Sequence, residues 1–595
     1  MDKNIIPRPS KITEIEGSYT VPAGLMDALK DPLLKVIPED LIVQPDGELS
    51  LEAYVLTIEQ KTVTIRSSSQ RGRYNALLTL TQLVLSSQEE GKIHCCTIED
   101  EPLFLNRAVM LDVSRDRVYK MDYLKQMIRR FVLLKYNQIQ LYTEHTFAYK
   151  GHEEVWRDAS PFTPSEIREL DLYCLDRGME LVPNQNSFGH MERWLKHSKY
   201  HSLAETAQGF TDSWGVFHPV STTLYPGCDE SLELVKDLYD QLLPCFSSRQ
   251  FNIGCDETFD LGLGRSQDLV KEKGEGRVYL DFLIKLTNEA TSRGFTVQFW
   301  ADIVLNYPEL VPEIPEDLIA VNWGYERDHP FEKETGVLKD AGLDFYVCTG
   351  TSSWHSLAGR WENALENIRN GAYWAEENGA LGYMVTDWGD NGHWQQPLVS
   401  WPGFLMASQA AWGGASSMEE MEESTWTSAL STFLFRDSSG RSARVLRKLA
   451  SLYLENPVSL HNGSLFNYLL MDPFYPFVRD QYEKCRCAGL GRAGEILDEC
   501  SRLLSDVEST GSVIFREELE MTLSLCRMGV RLSTILFDTG GVDWEKIPAE
   551  ERMSLNKQLT ALGHQFSRSW ALSSRPGGLD DSLIKLLSWK ERLSS

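Results

Sequence analysis

The chain has 595 residues, 42% hydrophobic and 24% charged, ordinary globular proportions in a length that exceeds one domain. Its 59 Lys and Arg stand against 86 Asp and Glu, a formal net charge of −27. Such a field repels phosphate backbones and anionic bilayers, so nucleic acid and membrane are excluded as partners and a neutral small molecule fits better.

The opening stretch from Met1 to Pro9 has no apolar segment or small-residue cleavage site, and no apolar run is long enough to span a bilayer, so a cytoplasmic location is expected. The 11 cysteines are scattered apart from Cys95-Cys96 and Cys485-x-Cys487, which predicts reduced thiols and no structural zinc. The sequon Asn462-Gly-Ser464 would then go unused.

Residues 1–100 read as a small α+β domain. Tyr54–Ile58 and Thr62–Arg66 alternate like two strands across a tight turn, and a helical pattern with Leu77, Leu78, Leu80 and Leu83 follows. From 101 to 415 apolar strands alternate with amphipathic helices. The predicted strands are Ala108–Val113, Gln138–Leu141, Glu180–Pro183, Phe251–Gly254, Thr296–Trp300, Ile319–Trp323, Phe345–Cys348 and Gly382–Thr386. Helices are predicted over Asp122–Leu134, Pro164–Arg177, Ser231–Leu243, Tyr279–Arg293 and Arg360–Asn378. Eight strands with intervening helices make a (β/α)8 TIM barrel, whose chemistry sits in the loops after each strand. Residues 416–595 carry helical periodicity, at 441–454, 495–509 and 514–532, and form a helical C-terminal domain. These helices could pack on the barrel, build a homodimer or close the pocket over a partner's edge.

Reading the strand exits in turn collects acids and aromatic rings. Arg107 and Asp112 flank the first strand, Thr143-Glu144-His145 follows the second, and the turn ending at His190 follows the third. The fourth strand ends in Asp256-Glu257, where a turning backbone can aim both carboxylates at one reacting bond. The fifth gives Trp300 and Asp302, the sixth Trp323 and Tyr325, the seventh Thr349 to Trp354, and the eighth Trp388 and Asp390. Singly, such residues are core rings, helix caps or ion pairs. Together, acids interleaved with tryptophans suit a sugar, whose C–H face stacks on rings while its hydroxyls bond to charged groups.

Several pieces carry a family likeness: Arg107 to Arg115 (Arg-Ala-Val-Met-Leu-Asp-Val-Ser-Arg), Phe-Gly-His190, Gly254-Cys-Asp-Glu257, Trp300, Trp323 and Trp388-Gly-Asp390. With the α+β module entering through Ile98 to Pro102, the chain resembles the family 20 glycoside hydrolases, the β-N-acetylhexosaminidases, over its first two thirds.

The resemblance implies an exo-acting, retaining, substrate-assisted reaction on a terminal β-linked N-acetylhexosamine of a small-molecule or oligosaccharide substrate. Glu257 would be the general acid and base, and Asp256 would orient the 2-acetamido group, whose oxygen is the nucleophile. Arg107 would bind the C3 and C4 hydroxyls and Asp390 those at C4 and C6. Trp300, Trp323 and Trp388 would line the pocket, with Glu144 in the hydroxyl network and His190 behind the acid pair.

Two departures stand out. Cys348-Thr-Gly-Thr-Ser-Ser-Trp354 lacks the tyrosine that members carry after the seventh strand, so Tyr325 is expected to supply that hydroxyl. Glu144-His145 stands where a double aspartate is usual. Without a His-x-His on the first strand a metal-dependent barrel hydrolase is not expected, and without a phosphate loop or metal cluster the expected cofactor is none. A retired, sugar-binding scaffold would have lost Asp256 or Glu257, and both are present. The C4 epimer preference is left open.

Overall fold

A mixed sheet comes first in the computed structural model, which describes residues 5–87, 91–212, 215–471, 476–505, 513–541 and 544–594. Its strands are β1 (Lys11–Thr20), β2 (Leu41–Pro45), β3 (Tyr54–Ile58), β4 (Val63–Ser67) and β5 (Lys92–Asp100), in the order β1-β5-β3-β4-β2. Strand β3 alternates buried and half-buried positions, as a strand with one face on a helix must. The partner helix Gln70–Ser86 starts where the Ser69 hydroxyl accepts from the backbone N–H groups of Arg71 and Gly72. Strand β1 is almost wholly exposed and carries no apolar alternation; its antiparallel pairing with β5 makes it a strand.

The barrel follows: β6 (Asn106–Asp112), β7 (Gln138–Tyr142) and β8 (Glu180–Val182), then a small hairpin of β9 (Phe210–Thr211) and β10 (Phe217–His218). It continues with β11 (Gln250–Asn252), β12 (Thr296–Trp300), β13 (Ile319–Trp323), β14 (Asp344–Gly350) and β15 (Gly382–Asp387). The eight barrel strands pair in parallel in the order β11-β12-β13-β14-β15-β6-β7-β8. The cylinder is closed between three-residue strands by a single parallel bridge, Asn184 to Asn252. There Asn252 N–H donates to the Pro183 carbonyl (3.0 Å) and Gln185 N–H to the Asn252 carbonyl (2.9 Å). This is a (β/α)8 TIM barrel.

Beneath the barrel, a buried polar knot fastens the small sheet. Lys135 Nζ lies 2.8 Å from Asp100 Oδ2, Trp412 Nε1 donates to Asp100 Oδ1 (2.9 Å), and Arg107 Nη2 lies 2.6 Å from Glu52 Oε2.

The C-terminal region is helical and wraps the barrel. The helix expected over 495–509 spans Ala493–Ser505, and residues 506–509 lie outside the described residues. The helix Val513–Asp538 presents Glu518, which accepts from the Tyr123 hydroxyl (2.9 Å) and the Leu398 N–H (3.0 Å); burial pushes its carboxyl up to about 7. After the helix Ala549–Ser573, Arg575 pairs with Glu166 of the barrel at 2.7 Å. Among the described residues no helix is long and apolar enough to cross a membrane, and all 11 cysteines are free thiols.

Candidate active site

The backbone turns sharply at the exit of β11. Gly254, Cys255 and Glu257 all take positive φ (72°, 77° and 48°), as does His190 across the seam (55°). Left-handed conformations cost non-glycine residues energy and concentrate where function demands them. The effect is to turn Asp256 and Glu257 toward one cavity. The neighbouring turn presses close: a Cβ added to Gly189 would stand 2.1 Å from the Asp256 carbonyl oxygen. That contact requires glycine and fixes His190 over the carboxylates.

His190 Nε2 lies 3.2 Å from Asp256 Oδ2 and 3.4 Å from Glu257 Oε2. Burial works against its charged form, but Asp256 and Glu257 outweigh burial and hold its pKa well above the usual 6.5. The three donor atoms lie within 4.8 Å of one another, a grouping that could hold a metal ion. Asp302, at the exit of β12, accepts the Glu257 N–H at 3.2 Å. Burial, then the charges of Asp256 and Glu257, raise its carboxyl to about 8.

A second charged group stands opposite. Arg115 Nε is 3.5 Å from both Glu144 Oε1 and Asp390 Oδ1, and its guanidinium lies over the rings of Tyr142 (4.6 Å) and Trp388 (4.9 Å). Asp112 caps the first strand: its Oδ1 accepts from Ser114 and Arg115 N–H, its Oδ2 from Gly389 N–H, and burial raises it to about 6. These bonds tie the first and eighth exits together. Tyr142 donates to Glu144 Oε1 (3.1 Å) and packs edge-on against Trp388.

Between the two charged groups is a cavity of about 480 Å³. Its walls include Arg115, Asp256, Glu257, Trp300, Trp323, Tyr325, Trp388 and Asp390. Trp388 Nε1 donates to the Tyr325 hydroxyl (2.9 Å), and Tyr325 stacks on Trp323 with centroids 5.1 Å apart. The buried indole N–H of Trp300 has no hydrogen-bond partner there.

Of the predicted site residues, all but Arg107 converge on this cavity or on the groups that brace it. Arg107 is a correction. It opens β6 at the barrel floor, 2% exposed, with Nη2 on Glu52, Nε donating to the Lys135 carbonyl and Nη1 to the Phe104 carbonyl. The five residues that follow it in β6 separate it from the active rim, and the arginine at the rim is Arg115. His145, beside Glu144, points away into a buried site where burial, then Arg193 and Lys196, keep it neutral. Sequence reasoning also left Tyr142 and Asp302 without roles, and missed Glu326, His461 and Asn462, which line the cavity. The sequon asparagine is thus a pocket residue.

The sequence profile of the glycosyl hydrolase family 20 catalytic domain matches residues 104–353, and that of domain 2 of the same family matches residues 28–101, together more than half of the chain. The chain belongs to glycosyl hydrolase family 20. Among its relatives, Hexosaminidase D of Bos taurus is 30% identical over 221 residues, 35% of this chain and 60% of that protein. Hexosaminidase D of Homo sapiens is 30% identical over 234 residues, 38% of this chain and 46% of that protein. The chain thus spans about half the length of these relatives. Among solved structures, the chitobiase of Flavobacterium johnsoniae superposes with a TM-score of 0.59 at 16% identity, covering 99% of both chains, a likeness of fold. The family 20 profile stops at residue 353, so β15, Trp388 and Asp390 lie beyond its match.

Proposed function

We propose that this chain is an exo-acting, retaining β-N-acetylhexosaminidase that works by substrate assistance. The observation that carries the reading is the Asp256–Glu257 pair, turned together into a tryptophan-walled cavity with the His190 ring against both carboxylates.

In this reading the terminal sugar sits on Trp388, with Arg115, Glu144 and Asp390 on its hydroxyls. The acetamido group enters between Trp300, Trp323 and Tyr325. Its N–H donates to Asp256, whose Oδ1 is buried without a partner and needs a donor. The Tyr325 hydroxyl, already accepting from Trp388, donates to the acetamido oxygen and aims it at C1. That oxygen attacks C1 as Glu257 protonates the departing glycosidic oxygen, and the C1–O bond breaks. The oxazolinium ion that forms is positive, and Asp256 stabilises it. Glu257, now a carboxylate, takes a proton from water as the water attacks C1 and reopens the ring. Two inversions leave the β configuration. The named activities of the relatives, Hexosaminidase D and beta-hexosaminidase, are in keeping with this chemistry.

The test is hydrolysis of the 4-nitrophenyl β-glycosides of N-acetylglucosamine, N-acetylgalactosamine and glucose. Turnover of either acetamido sugar without the glucoside supports the reading. Equal cleavage of the glucoside sinks it, because no acetamido nucleophile would then be needed.

A further inference from the structure

The cavity wall opposite the acid pair comes from outside the barrel. His461 and Asn462 belong to the turn before the helix Leu465–Met471, more than 70 residues beyond β15, yet they line the same cavity as Asp256 and Glu257. Their side of the cavity is fixed by His355. Its Nε2 lies 3.0 Å from Asn391 Nδ2, and its ring lies against the backbones of both Asp390 and Asn462. Asn462 is therefore a neighbour of Asp390, at the end of the cavity assigned above to the C4 and C6 hydroxyls.

We propose that the His461–Asn462 turn is the specificity-determining wall for the C4–C6 end of the terminal sugar, with the Asn462 carboxamide bonding a hydroxyl there. The inference rests on the hexosaminidase reading of the cavity. The Asn462 Oδ1 is buried and lacks a hydrogen-bond partner, an unmet acceptor of the kind a sugar O–H satisfies. The wall is also rigid. Asn462 N–H donates to Glu326 Oε1 (2.7 Å), and Glu326 is clamped by both terminal nitrogens of the buried Arg360 (2.9 and 3.1 Å). Behind it, Tyr468 donates to the His461 carbonyl (3.0 Å) and Ser464 N–H to the His355 carbonyl (2.8 Å). A wall held this way meets the substrate in one geometry, so it discriminates between an equatorial and an axial hydroxyl at C4 and is not a lid. The C-terminal helical region would thus take part in substrate choice.

The test uses the full chain and the variants Asn462→Gly and His461→Ala. Glycine removes the carboxamide but accepts the positive φ of this position (51°), so the backbone bond to Glu326 survives. Asn462→Ala, which removes the same acceptor, serves if the glycine variant melts early. For each, kcat/KM is measured on the 4-nitrophenyl β-glycosides of N-acetylglucosamine and N-acetylgalactosamine, with thermal melts to establish folding. One lost hydrogen bond to one epimer changes the ratio of the two by about three- to tenfold, chiefly through KM. A ratio unchanged in folded variants overturns the inference and leaves the hexosaminidase reading standing. A wild-type protein that cleaves neither sugar overturns that reading, and the inference with it.

Discussion

His190 Nε2 stands 3.2 Å from Asp256 Oδ2 and 3.4 Å from Glu257 Oε2, so one ring on the third barrel exit addresses both carboxylates of the fourth. In the proposed mechanism the pair nevertheless has different work to do, and substitutions separate it. Glu257→Gln removes the proton donor and is expected to lower kcat by about 10²- to 10⁴-fold on poor leaving groups, and much less on a nitrophenolate, which needs little protonation. Asp256→Asn removes the anion beside the developing oxazolinium and is expected to cost about 10²- to 10³-fold whatever the leaving group. Steady-state kinetics on nitrophenyl and alkyl glycosides measure the contrast.

The pH dependence of stability has a definite sign. The pKa of His190 is higher folded than unfolded, so its contribution is full below about pH 6.5 and fades as pH rises through the folded value. Asp302 is raised to about 8, so the unfolded chain loses this proton first, and stability falls from about pH 4 to pH 8. Both groups weaken the fold on the alkaline side. Asp302→Asn is expected to flatten the slope of melting temperature against pH between 4 and 8; an unaltered slope would assign that proton elsewhere.

Arg115 and Arg107 should part company. Arg115→Ala leaves Glu144 and Asp390 without their cation and, in the proposed mechanism, removes charged hydrogen bonds to the sugar, with an expected cost of about 1.5–3 kcal/mol, or roughly 10- to 100-fold in kcat/KM. Arg107→Ala breaks a buried pair with Glu52, with an expected stability loss of about 3–5 kcal/mol and little change in the kinetics of the molecules that remain folded. Denaturant titration and kinetics on both variants decide the assignment.

Gly189→Ala places a methyl 2.1 Å from the Asp256 carbonyl oxygen, closer than any relaxed contact. Because the obstacle is backbone, the His190 turn or the Asp256–Glu257 turn must move. Activity is expected to fall by about 10²-fold or more, as a misplacement of about 1 Å does, with a much smaller effect on melting. Equal losses in melting and in activity would mean that the turn is only structural.

The barrel was legible in the sequence because its parallel strands are short apolar runs set between amphipathic helices; β12 and β13 fall on the predicted residues. The small sheet was half legible. Strand β1 has no buried face to impose a period, and only pairing with β5 reveals it. In the site, Trp300, Tyr325 and Asp390 could be placed from their positions after strands. Arg107 could not, since a motif with an arginine at each end of one strand does not say which end faces substrate. Arg115, three residues past Asp112, was the signal available. His461 and Asn462 carried none, for no local pattern reports a turn that reaches the cavity from another part of the chain.

One ladder of this barrel is nearly absent. Strands β8 and β11 have three residues each and meet through the Asn184–Asn252 bridge, and the loops that carry His190 and the Asp256–Glu257 pair leave from its two sides. The groups proposed to react therefore straddle the seam that has the fewest hydrogen bonds to break. On warming, catalytic competence would be lost before the bulk of the molecule unfolds, and amide protons of Asn252 and Gln185 would exchange sooner than those of β12 to β15.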